Sequence, residues 1–137
     1  MKNIKKELLT FAAIFTLIVV FDFIWLGIIQ KSYFTEIIKK LNCGGSNKVN
    51  WPSIVITYFV MAFSLYYFVF HMAEENISLA MRLLRAILIA MAIYVVFDFT
   101  LLNMASAWGW NDAIKDIAWG NVLFVTVAVI THYIHRG

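Results

Sequence analysis

The chain has 137 residues, 63% of them apolar and only 14% charged, with a net charge of +3. A soluble domain is nearer half apolar and a quarter charged, so the composition excludes an ordinary water-soluble globule, and the length suits one domain. The basic residues sit at the ends of apolar runs (Lys2, Lys5, Lys6, Lys39, Lys40, Arg82, Arg85) rather than in a patch or stripe, which fits lipid headgroups and argues against a nucleic-acid partner.

The first apolar run extends from Leu8 to Ile29. Lys2, Lys5 and Lys6 before it imitate a signal peptide. The run is nevertheless long enough to cross a bilayer core, which takes about 20 residues, and no A-x-A-like site follows it, so it reads as a retained first membrane helix. It contains "VVFDF" at Val19–Phe23, then Trp25 and Gly27. In the long first loop, "SYFTEIIKKL" puts Tyr33, Phe34, Ile37, Ile38 and Leu41 on one helical face and Glu36, Lys39 and Lys40 on the other. This predicts a short amphipathic helix in the membrane interface, either capping the bundle or forming a lateral gate or partner surface. "NCGGSN" breaks it.

The second run is Ser53 to about Met72, opened by Trp51-Pro52 and closed by Glu74-Glu75; proline at a helix start removes no needed hydrogen bond. The third is Ala86 to Ala107 and repeats "VVFDF" at Val95–Phe99, with Tyr94 before the repeat and Asn103 after it. The fourth runs from about Asp112 to Ile134, after a "GWND" turn in which Asn111 or Asp112 can cap the helix. Its first turns carry Asp116, Trp119, Gly120 and Asn121. The predicted fold is an all-α integral membrane bundle of four helices, a single transmembrane domain over residues 1–137 built from two repeated hairpins. Spans one and three then cross in the same direction, related by an axis along the membrane normal.

Four spans place both termini on one side. Lysines and arginines number six on that side and second loop (Lys2, Lys5, Lys6, Arg82, Arg85, Arg136) against five on the other (Lys31, Lys39, Lys40, Lys48, Lys115). The positive-inside rule thus favours cytoplasmic termini by a thin margin, with Cys43 outside. Cys43 is the one cysteine, so no intrachain disulfide forms.

An aspartate inside an apolar span is costly, faces a bundle interior or a water cavity, and marks ion or proton pathways. Asp22, Asp98 and Asp116 all belong to the half of the membrane nearer the first loop, with no lysine or arginine placed to neutralise them; Lys115 points about 100° from Asp116 on a helix. Such a cluster must share a proton or a small cation. The competing reading is glue, in which aspartates hydrogen-bond between helices. Trp25 and Tyr94 share helical faces with Asp22 and Asp98 and are placed to bond a carboxylate. Asn103, Trp119 and Asn121 are further supporting candidates. An interfacial aromatic belt accounts for Trp51, Trp108 and Trp110.

The motifs Asp22-x-x-Trp25-Leu26, Phe97-Asp98-Phe99-Thr100-Leu101 and Asp116-Ile117-Ala118-Trp119-Gly120 resemble a family of small four-helix membrane proteins catalogued as the domain of unknown function numbered 2177. The family pattern reads roughly D-x-x-W-L, Y-D-L-T-N and D-M-A-W-G, so Phe97 stands in place of its tyrosine and Leu101 in place of its asparagine. The resemblance spans nearly the whole chain. It implies the four-helix fold and weight on the three aspartates, and it implies no activity.

Other constellations carry less. His71, His132 and His135 lie near helix C-termini, where histidine complements the dipole; no cysteine or carboxylate completes a metal-ligand set there, so neither metal nor cofactor is expected. No phosphate loop, nucleophile elbow or H-E-x-x-H is present. The leading expectation is binding or passage of a proton or small cation at Asp22, Asp98 and Asp116, in a homo-oligomer because one small copy is thin for a pore. The alternatives are a membrane enzyme using an aspartate pair on a lipophilic substrate, and an accessory subunit without chemistry.

Overall fold

The computed structural model describes residues 3–42 and 50–136; Lys2, Cys43, Lys48 and the break after Asn42 lie outside them. Five helices follow in chain order, with no strand among the described residues. Helix α1 (Ile4–Ile24) starts at Asn3, whose side chain accepts from the Lys5 amide, and continues as a π-helical turn over Trp25–Ile29. Helix α2 (Lys31–Leu41) is the first-loop helix. Helix α3 (Trp51–Leu65) is capped by Asn50, carries Pro52 in its first turn and also ends in a π-helical turn, Tyr66–His71. Helix α4 (Leu79–Met104) is capped by Ser78, and α5 (Trp110–Arg136) completes the chain.

Four of these helical stretches are long and apolar enough to cross a membrane: Ile4–Ile29, Trp51–His71, Leu79–Met104 and Trp110–Arg136. Their outward faces carry large exposed apolar residues such as Leu8, Phe23, Phe59, Leu88 and Val122, a surface that suits lipid. The helix bounds differ from those of the apolar runs that announce them. Helix α4 starts seven residues before Ala86, because Ser78 caps it. It ends three residues before Ala107, because the chain turns there and tucks Trp108 inside. Helix α5 starts at Trp110, and Asp112 accepts from the Gly109 amide at 2.8 Å, so the predicted cap residue acts from within the first turn.

The inward faces are ridges of period four, as helices that interlock i±4 rows require. In α1 the buried residues are Thr10, Ile14, Ile18 and Asp22. In α4 they are Arg82, Ala86, Ala90, Tyr94 and Asp98. Each copy of VVFDF therefore ends a buried ridge with its aspartate pointing into the bundle. Helix α5 answers with Gly120, Phe124, Ala128 and His132 beside Leu123, Val127 and Thr131. Helices α4 and α5 make the closest pairing, and α1 packs on both α5 and α3. Helix α3 closes on α4 through its π-helical end, while their other ends barely meet.

The amphipathic helix packs across the first-loop end of the bundle. Ile37 joins Trp108 and Ala113 in a separate small core, with Tyr33 and Leu41 half-buried beside them. Trp108 is 5% exposed, against 68% for Trp51 and 64% for Trp110, so it is a core residue and the aromatic-belt assignment fails for it. Polar contacts tie down α2 as well: the Tyr33 hydroxyl donates to Asp112, and Lys115 donates to Gln30 at 3.0 Å while lying over the Tyr33 ring.

Candidate functional site

The ridge ends bring α1, α4 and α5 together around the aspartates, with Tyr58 entering from α3. Asp22 is buried and doubly held. The Tyr58 hydroxyl donates to its Oδ2, and the Trp119 indole N–H donates to its Oδ1 at 2.9 Å. The two donors tie the carboxyl group of α1 to α3 and α5. Trp25 does not bond the carboxylate, although it shares the helical face. Its indole stacks on Trp119, with ring centroids 4.5 Å apart and planes 7° from parallel, and its own N–H is buried without a hydrogen-bond partner.

Asp98 has the opposite surroundings. It is 0% exposed, and among the described residues no hydroxyl, amide or ammonium reaches either carboxyl oxygen. The acid beside it is Asp116. Two carboxyls form a hydrogen bond only when one of them carries a proton. Asp116 is half-buried and is also acted on by the charge of Asp22. Tyr94 faces all three acids. Its ring lies against Gly120, where a Cβ would overlap it, so the glycine is what lets α5 bring Asp116 up to α4.

Two candidates fall elsewhere. Asn103 is exposed near the end of α4. The Asn121 amide donates to the Ile117 carbonyl at 2.9 Å and to the Met91 sulfur, away from the carboxyls. Tyr58 was not signalled by a motif. It lies on the same stripe as Ala62, Leu65 and Val69, all fully buried, and that alternation of four- and three-residue steps in the second span is the signal that locates it.

The site opens sideways. Where α3 and α4 part, a groove of about 680 Å³ runs between them, with Asp22, Asp116, Tyr58 and Tyr94 in its floor and Ile54, Val60, Ile93 and Phe97 among its apolar walls. Asp98 does not line it and is reached through Asp116. Toward the other end of the bundle the core is apolar, packed from Ile14, Ile18, Leu65, Phe124 and Val127, all 0% exposed.

The histidines have local partners. His71 and Tyr66 both bond Glu7, at 2.8 and 2.6 Å, and His135 bonds the Thr10 hydroxyl at 2.9 Å. Among the described residues no three of His, Cys, Asp and Glu are grouped as metal ligands.

A family model described as a predicted membrane protein, DUF2177, matches residues 7–133. No curated protein and no solved structure matches the chain.

Proposed function

The chain belongs to the DUF2177 family of predicted membrane proteins, and on that premise we propose that it binds a proton, or a small monovalent cation in its place, at the Asp22–Asp98–Asp116 cluster. The observation that carries this reading is the isolation of Asp98, whose two buried oxygens have no hydrogen-bond donor among the described residues and which has Asp116 beside it. Asp22 anchors the cluster through its two donors, Asp116 exchanges with the groove, and Asp98 holds the far end of the shared bond. Interhelical glue accounts for Asp22, which has two neutral donors, better than for a pair of acids facing each other.

Passage across the membrane asks for more than one described bundle supplies, because an apolar core lies beyond the cluster. In this reading conduction needs a rearrangement or an assembly of copies, and the termini lie in the cytoplasm under the positive-inside rule. Proteoliposomes loaded with a pH-sensitive dye test transport: a proton or alkali-ion flux that Asp98→Asn abolishes is expected. Infrared spectroscopy tests binding alone: wild-type protein should show a protonated-carboxyl band that Asp98→Asn or Asp116→Asn removes. Absence of both the flux and the band overturns the reading.

A second reading is favoured by the groove itself. It opens toward lipid between apolar walls and ends on Asp22 and Asp116, as a site for an amphiphile with a polar head would. There the Asp98–Asp116 pair acts as acid and base. Thr57→Trp, at an exposed position on the groove wall, separates the two: it should block a lipophile and leave proton binding intact.

A further inference from the structure

The end of the bundle where both termini meet the second loop holds a second polar site. Arg82, one turn into α4, is 2% exposed. Its guanidinium lies 4.3 Å from the centroid of Phe70, and neither its Nε nor its Nη1 has a hydrogen-bond partner. Arginine stays charged in any protein setting, and a buried charge without a counter-ion is strongly unfavourable. The ring face offsets part of that cost. It does not satisfy the N–H donors.

The nearby acids do not pair with it. The ion pair found among the described residues joins Glu7 to His71, and Glu7 also accepts from Tyr66. Glu74 and Glu75 are exposed on the rim. Beside Arg82, a cavity of about 390 Å³ is lined by Lys6 and Arg136 and by Glu7, Glu74 and Glu75. Three cations from three helices thus share one space with three carboxylates, and the most buried cation, Arg82, is the one with unused donors.

We propose that this cavity binds a phosphate group, with Arg82 as the two-pronged donor and Lys6 and Arg136 as the further cations of its lining. The guanidinium fork matches two phosphate oxygens. Lys6 and Arg136 lie at the outer ends of their helices, the level of lipid headgroups, so both a phospholipid phosphate and free phosphate offer the required chemistry. The site is separate from the aspartate cluster and does not depend on the role proposed for it.

The test uses the full chain, purified in a phosphate-free, lipid-free detergent. Its thermal unfolding is followed against inorganic phosphate, with sodium chloride at matched ionic strength as control, and in phosphatidylcholine nanodiscs with and without phosphatidic acid. Stabilisation by inorganic phosphate assigns the site to free phosphate, and stabilisation by phosphatidic acid alone assigns it to a lipid. Arg82→Gln should weaken the effective probe roughly tenfold or more, the loss of one charge-assisted hydrogen bond. If that variant does not fold, Arg82→Lys, which keeps the charge and loses the fork, should show the same direction of change. Wild-type protein stabilised no more by either probe than by its control, or equal binding by wild type and the folded Arg82 variant, overturns the proposal.

Discussion

Gly120 of α5 lies flat against the ring of Tyr94 on α4, so close that a Cβ there would overlap the ring carbons. The contact sits at the level of the aspartates, and Tyr94 is 9% exposed, with little room to retreat. Gly120→Ala should therefore force the ring or the helix outward and destabilise the bundle by about 1–3 kcal/mol, as overpacking does. Gly27→Ala is the control. A Cβ there meets the exposed Phe23 ring no closer than 3.4 Å, so the change should be close to neutral. Thermal unfolding of both variants in the same detergent checks the pair, and equal stability of Gly120→Ala and wild type would remove the glycine from the account.

The two donors to Asp22 differ in what else they do. Tyr58→Phe deletes one hydrogen bond and should cost about 1–2 kcal/mol, above the membrane average of about 0.6 because the acceptor is a carboxylate. Trp119→Phe deletes the other and also loses much of the stacked pair with Trp25, worth about 0.5–1.5 kcal/mol more. It should be the more harmful of the two. The double variant should depart from additivity, since both act on one buried group. Reversible unfolding in mixed micelles measures all three, and a Tyr58→Phe variant at least as damaging as Trp119→Phe would contradict the geometry.

Asp112 links the amphipathic helix to the bundle by accepting from both Tyr33 and the Gly109 amide. Asp112→Ala should cost about 1 kcal/mol through the lost cap and release α2 as well. Tyr33→Phe should release α2 while leaving the cap in place. Hydrogen exchange reads the difference: amides of residues 31–41 should exchange faster in both variants, and those of the first turn of α5 in Asp112→Ala alone.

The parts of this structure that obey a simple period were readable in the sequence. Four apolar runs gave four spans, and the repeated aspartates pointed inward because each closes a period-four ridge. Helix ends were less readable, since hydropathy marks the lipid core, whereas Ser78 and Gly109 set where helices begin and end. The pairing of Trp119 rather than Trp25 with Asp22 was hidden for another reason. A shared helical face shows which side chains are neighbours along one helix, and not that the Trp25 indole stacks on Trp119 while the Trp119 N–H takes the carboxyl oxygen. Arg82 was counted as a headgroup charge, because linear position cannot reveal that Phe70 covers it.

The last prediction separates a working carboxyl pair from structural glue. Asparagine keeps the size of aspartate and its hydrogen-bonding capacity but cannot ionise. If the three aspartates only join helices, Asp22→Asn, Asp98→Asn and Asp116→Asn should all fold, with losses near the membrane average of about 0.6 kcal/mol per bond. If Asp98 and Asp116 share an exchangeable proton, the variants should divide. Asp98→Asn and Asp116→Asn should keep or gain stability, because an amide can donate to the remaining carboxylate and no proton has to be held. Both should lose the protonated-carboxyl band and any proton flux. Asp22→Asn should instead lose stability, because an amide group is a weaker acceptor for Tyr58 and Trp119 than a carboxylate, and should retain the band. Unfolding midpoints, infrared difference spectra and liposome flux, taken together on the three variants, check this division. Uniform behaviour across all three would show that the acids act alike and that the pair has no separate chemistry.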